Sequence, residues 1–319
     1  VKAIVAGDVA RAGGNYVLSA RLVAAESGEE LVNLRETASD SSKVMDAVDQ
    51  LSRRMRERMG ESLGSIRAST PLDRATTTSL EALRKYSQAL KAIDSGDLDL
   101  GKSLLQEAVD LDPDFAMAWR KLAVVEFDDP RARRAAATRA YELRDLLTDR
   151  ERYMTVGTYN GYVTLDNDAA ITAYRTLLEQ YPDDGWALNN VALQYAEQGK
   201  LDLSIEYLER AIEADPYSPN AYINLAAGLH FLGRGDSALA VMDRLEETMP
   251  SNPEVIDWRA RFAAADWDYE TARALAEELS RTDKTEFRRR ALDLMAAVEL
   301  AEGRLERAER NWLDARSSD

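Results

Sequence analysis

The chain has 319 residues, 45% hydrophobic and 31% charged, with a formal net charge of −16 at pH 7. That mixture suits a folded protein rather than a disordered one, and its acidity repels phosphate backbones and anionic lipid, which argues against nucleic acid and membrane surfaces as partners. With no cysteine and a single histidine, His230, disulfides, thiolate nucleophiles and structural zinc are excluded, so neither a metal nor another cofactor is expected.

No apolar run approaches the length of a bilayer span. The chain starts at Val1, without a methionine, directly in strand-like sequence. It therefore reads as an excised piece of a longer protein, cytoplasmic or periplasmic.

Three short runs come first: Lys2–Arg11, Asn15–Ala25 and Glu30–Ala38, separated by Ala12-Gly13-Gly14 and Ser27-Gly28-Glu29. Glycine turns between β-branched runs predict hairpins. In the second run Tyr16, Leu18, Ala20 and Leu22 share one face at period two. The period then changes. Val44, Val48, Leu51, Met55, Met59, Leu63 and Ile66 step by three or four, which predicts a helix from about Lys43 to Ile66. A β-β-β-α unit over residues 1–70 is a partial α+β domain, because three strands and one helix leave a face and an edge uncovered. Ser69-Thr70-Pro71 ends it, and Thr76–Ser79 supplies caps for the next helix.

From residue 80 to 319 the periodicity is helical. Pro182, Pro216 and Pro250 stand 34 residues apart, and Pro113 lies 69 residues before the first. Seven units start near Ala82, Ala116, Glu151, Gly185, Pro219, Pro253 and Arg289. With the proline at the thirty-second position, glycine falls at the fifteenth as Gly96, Gly199, Gly233 and Gly303, where a turn needs positive φ. Small residues recur where two helices must approach: Ala89, Ala123, Ala192, Ala226, Ala260 and Ala296 at the eighth, and Gly101, Ala170, Ser204, Ala238, Ala272 and Ala308 at the twentieth. Three units depart from the pattern, with Asp128-Asp129-Pro130, Leu165 and Trp267 at the turn.

These positions resemble the tetratricopeptide repeat family, most clearly over Trp186–Pro216 and Asn220–Pro250. The resemblance implies a mainly α fold, a right-handed superhelical solenoid of six to seven repeats running from about Leu80 to Arg316, preceded by the small α+β unit. It implies a concave surface rather than a catalytic pocket, hence no enzymatic activity in this chain. Gly7-Asp-Val9, Tyr16-Val-Leu-Ser-Ala-Arg-Leu-Val23 and Ser27-Gly28-Glu29 resemble the second half of a TolB-amino-terminal-like domain. That domain precedes tetratricopeptide repeats in bacterial signalling proteins carrying a serine/threonine kinase, a cyclase or a DNA-binding regulator. Leu51-Ser-Arg-Arg54 through Gly60-Glu-Ser-Leu63, with Ser79 to Tyr86, looks most like the kinase-linked version.

The family's concave positions fall on Arg152, Tyr159 and Tyr162, then Trp186, Asn189, Asn190 and Leu193, then Asn224, His230 and Phe231. Asn190 and Asn224 share the sixth position of adjacent units. An asparagine amide offers an acceptor and two donors, which suits the backbone of an extended peptide and equally a bond to the neighbouring repeat. Tyr159, Tyr162, Trp186 and Phe231 are aromatic anchors or inter-repeat packing. His230 has no partner in sequence for metal binding or general-base work and reads as a groove residue. Asp166-Asn-Asp168 and Asp266-Trp-Asp268 read as helix caps rather than calcium loops, and Arg53–Arg58, Arg131–Arg139 and Arg288–Arg290 as solvated faces. The expected function is a protein- or peptide-binding module, with a basic or neutral partner that Arg120 and Arg152 contact where it carries a carboxylate. The competing reading is a scaffold for self-assembly of the parent into a homo-oligomer.

Overall fold

The computed structural model describes residues 3–25, 27–40, 43–60, 77–94, 97–126 and 129–317. Three strands, β1 (Ala3–Ala12), β2 (Asn15–Ala24) and β3 (Glu30–Ala38), form an antiparallel meander in that order. Gly13 and Gly28 take φ of +64° and +71° in the turns, where a side chain would be strained. Pairing sets Val9 opposite Leu18 and Val5 opposite Leu22. Helix α1 (Val44–Arg58) lays Val44, Ala47, Leu51 and Met55 against Leu18, Leu22 and Leu34, with Tyr16 and Ala20 at the margin. β1 lies beyond this cover, and Ile4, Val5 and Val9 stay exposed. The expected continuation of α1 through Leu63 and Ile66, and the break at Ser69-Thr70-Pro71, lie outside the described residues, as do Thr76, Gly96 and Asp128.

Among the described residues fourteen α-helices follow in chain order: α2 (Leu80–Asp94), α3 (Leu98–Leu111), α4 (Ala116–Val125), α5 (Pro130–Glu142), α6 (Asp149–Tyr159), α7 (Asn167–Gln180), α8 (Gly185–Glu197), α9 (Leu201–Ala214), α10 (Pro219–Phe231), α11 (Gly235–Thr248), α12 (Pro253–Ala265), α13 (Tyr269–Leu279), α14 (Thr285–Ala301) and α15 (Leu305–Ser317). The punctuation explains the lengths. α3, α7, α9 and α11 each stop two residues before Pro113, Pro182, Pro216 or Pro250, because proline has no N–H to continue the ladder and disfavours α geometry in the residue before it. Gly199, Gly233 and Gly303 take φ of +71°, +73° and +77° between paired helices. Ser79 caps α2 through Ala82 N–H, and Asp129, Asp166 and Asp268 cap α5, α7 and α13. The small residues of the eighth and twentieth positions are buried throughout, from Ala89 and Ala123 to Ala296 and Ala308.

By its contacts the chain divides into two units, Val1–Lys91 with Gly101–Thr155, and Ala92–Leu100 with Val156–Asp319. In the first, Leu80 packs against the core under the sheet, Tyr86 lies 5.0 Å from Phe115, and Ala116, Leu143 and Leu147 form a separate cluster. In the second, each helix pair packs internally, each second helix packs on the next first helix, and α8, α10, α12 and α14 touch in succession. That is the tetratricopeptide-like arrangement the period predicts.

Two features depart from the sequence reading. The end of α6 widens into a π turn at Asn160–Thr164, and Leu165 closes it at φ +57°. Arg290 is not on a solvated face. Its guanidinium reaches α12, 3.1 Å from Glu254 and 3.3 Å from Asp257, and also pairs with Glu286. The reason is that its acidic partners stand one repeat earlier, where a scan for neighbours along one helix does not look.

Candidate functional site

Nine of the ten expected groove residues lie in the second unit, on first helices or at their ends. Arg152, in the first unit, pairs with Asp149 at 2.8 Å on its own helix. Arg120 is buried, near enough to Tyr86 to oppose the rise that burial imposes on that phenol's pKa.

Tyr159 closes α6 and Tyr162 sits within the π turn, both half-buried. A π turn inserts an extra residue into the helical ladder, which locally redirects side chains. Opposite it on α8 is Gln194, a residue the repeat pattern did not single out. A Cβ at Gly161 would stand 3.4 Å from Gln194 Oε1, so the glycine lets the carboxamide in close. That oxygen is buried and has no hydrogen-bond partner among the described residues.

Trp186, in the first turn of α8, meets Tyr174 edge-on at 5.5 Å and 82°. Tyr174 is itself buried against α6, where a Cβ on Gly157 would come within 2.1 Å of its ring. Trp186 thus has a packing role and is half-exposed as well.

The asparagines divide their roles. Asn190 Nδ2 donates to the Trp186 carbonyl at 2.8 Å, one turn back on α8. Asn224 Nδ2 donates to Asn189 Oδ1 at 2.9 Å, joining α10 to α8. Of the two uses open from sequence, Asn224 makes the inter-repeat bond. The half-buried amides retain acceptor capacity at Asn190 and Asn224 and donor capacity at Asn189. Leu193 lies one turn further along α8, also half-buried.

His230 belongs to a different contact. Its Nε2 is 3.0 Å from Asp266 Oδ1, and its ring stacks on Phe262 at 4.6 Å and 13°. It therefore ties the end of α10 to α12 rather than joining the asparagines. Phe231, the last residue of α10, is 81% exposed.

A tetratricopeptide repeat profile matches residues 81–145 and 164–219, and a second matches residues 195–261; together they span just over half of the chain. The chain belongs to the tetratricopeptide repeat family. A tetratricopeptide repeat protein from Parabacteroides merdae is similar in structure at 17% identity and a TM-score of 0.48, over 75% of this chain and 94% of that one. PilW, a widely conserved type IV pilus biogenesis factor, is similar at 18% identity and a TM-score of 0.44, over 63% of this chain and 93% of that one. The photosystem I assembly protein Ycf3 of Dioscorea elephantipes is 34% identical over 73 residues, 21% of this chain and 42% of that protein. The chain spans less than half the length of that curated relative.

Tetratricopeptide repeats mediate protein–protein interaction or assembly, and membership accounts for the glycine turns, the buried alanines and the packing of successive first helices. It does not account for Leu165 and Trp267, which hold the same turn position at positive φ, or for the π turn. Nor does it account for the open face of the sheet, where Asp8, Ser19, Arg21, Asn33 and Arg35 line a shallow polar concavity and Ser19 Oγ donates to Asp8. Among the described residues no helix is long and apolar enough to cross a membrane.

Proposed function

We propose that the first-helix face of the second unit binds an extended or helical segment of a protein partner, within the regulatory or sensory part of a larger bacterial signalling protein. The observation that carries this is the half-buried Asn189–Asn224 pair on successive first helices, with Asn190 beside it. An extended peptide presents alternating N–H and C=O groups, and these amides offer the complementary acceptors and donors. Tyr159, Tyr162, Trp186 and Leu193 add apolar contact area. The net charge favours a neutral or basic segment. The resemblance of the first 85 residues to kinase-linked regulatory regions supports the signalling parent. On this reading residues 1–70 are a partial α+β domain and residues 80–319 the repeat module.

The test is the double variant Asn190→Ala with Asn224→Ala, assayed against peptides recovered by display. Binding falls at least tenfold while the far-ultraviolet spectrum is kept. Undiminished binding to every recovered peptide by a folded double variant shows that these asparagines are purely structural.

A second reading is a structural scaffold that mediates self-assembly of the parent protein; a 73-residue stretch 34% identical to a photosystem I assembly protein supports an assembly role. Light scattering over a dilution series separates the two: mass that falls on dilution favours the scaffold, and a constant monomer mass favours partner binding.

A further inference from the structure

The fifteenth position of a repeat here takes a left-handed backbone. Gly199, Gly233 and Gly303 adopt it at φ of +71°, +73° and +77°, but in the α12–α13 turn the residue is Trp267, at φ +66°. A side chain with a Cβ is disfavoured in that region, and a bulky one more so. Burial would compensate, yet Trp267 is 77% exposed. Its indole touches the ring of Tyr269, centroids 6.1 Å apart, and extends into solvent. For stability alone glycine is the better residue.

The surroundings are specific. The His230–Asp266 bond draws the end of α10 against this turn. Phe231 follows His230 as the last residue of α10, and its ring and that of Trp267 are both exposed. Asp266 and Asp268 bracket the tryptophan, Glu270 follows, and no lysine or arginine occurs between Arg261 and Arg273. The Asp266 side chain is 63% exposed. Hydrogen bonds from Thr271 hold the Asp268 carboxyl below its ordinary range, so it is ionised at neutral pH.

We infer that the Trp267 turn is a second docking surface, distinct from the first-helix groove, that takes a basic segment of a partner protein. A lysine or arginine side chain lies over the indole face while its charge pairs with the flanking carboxylates, and its neighbouring apolar residues cover Phe231. A cation is attracted to an indole face, and more strongly where carboxylates complete its coordination. A second copy of this chain is the wrong occupant, since it would bring the same acidic edge and a net charge of −16.

The test uses the whole chain and two fluorescein-labelled peptides, one alternating lysine with leucine and one alternating glutamate with leucine, read by anisotropy. Wild type binds the lysine peptide and not the glutamate peptide. Trp267→Gly, which leaves every charge in place, weakens binding at least tenfold while the melting temperature stays level or rises. Phe231→Ser weakens it several-fold. Equal binding by Trp267→Gly would mean diffuse charge attraction and would overturn the inference, as would no binding by wild type. A fall of several degrees in the melting temperature of Trp267→Gly would overturn it too, by making the indole a packing residue.

Discussion

Gly157 shows how a single missing methyl positions an aromatic residue. Its Cβ would lie 2.1 Å from the Tyr174 ring, and that ring is held in turn by Trp186. Gly157→Ala should therefore destabilise the chain by about 1–3 kcal/mol, the usual cost of overpacking a close helix crossing. A denaturant midpoint equal to wild type would contradict this. The turn glycines make the complementary case. Gly199→Val forces a β-branched residue to φ +71° and should cost more than ~1 kcal/mol. At Leu165, 62% exposed at φ +57°, the substitution Leu165→Gly should be neutral or gain up to about 1 kcal/mol, because strain is relieved and little packing is lost. Chemical denaturation of the pair, read together, checks both. The positive-φ turns and the buried alanines were legible in the sequence because they recur at a fixed period. Gly157 and Gln194 were not, since neither repeats and each acts through a contact with a neighbouring helix.

Helix pairs were legible for the same reason, and four helix ends followed from four prolines. What the pattern missed are contacts that cross from one repeat to the next. Arg290, on α14, joins Glu254 and Asp257 of α12, and Asp257 also accepts from Arg261 at 3.0 Å. Arg290→Met should cost roughly 2–4 kcal/mol, because it leaves Asp257, 1% exposed, and Glu254 with less compensation than they need. The loss should depend on pH. Burial, with the nearby Asp257 and Glu286 charges, raises the Glu254 pKa, and Arg290 opposes that rise. A carboxyl with a raised folded pKa contributes stability below its ordinary value, and that contribution is lost as pH rises through the folded pKa. Without Arg290 the pKa rises further, so the variant should be penalised more at pH 7 than at pH 4. Melting temperatures of the two proteins across that range decide it; a constant difference would mean that the arginine acts by packing alone. The π turn at the end of α6 left no trace in the sequence beyond a leucine where glycine was expected.

At the scale of the molecule, charge and repetition narrow the function while the partner's identity lies in side-chain detail. The first-helix residues were found through family register, yet register did not distinguish Asn224, which bonds Asn189, from His230, which bonds Asp266. Both sit on α10, and only the packing of α12 separates their roles. The sheet carries its own expectation. With Ile4, Val5 and Val9 exposed, residues 1–70 expressed alone should aggregate or stay poorly ordered. A monomeric fragment with a cooperative melt would instead show a self-sufficient domain. The central claim, that the first-helix face is where a protein partner lies, is tested most directly by placing the photo-crosslinking residue benzoylphenylalanine at single positions in cells. Position 193 on α8 should yield one dominant adduct, lost in the Asn190→Ala, Asn224→Ala background, while position 203 on the second helix α9 yields none. Equal adducts from both positions, or an adduct from 203 alone, would contradict the account.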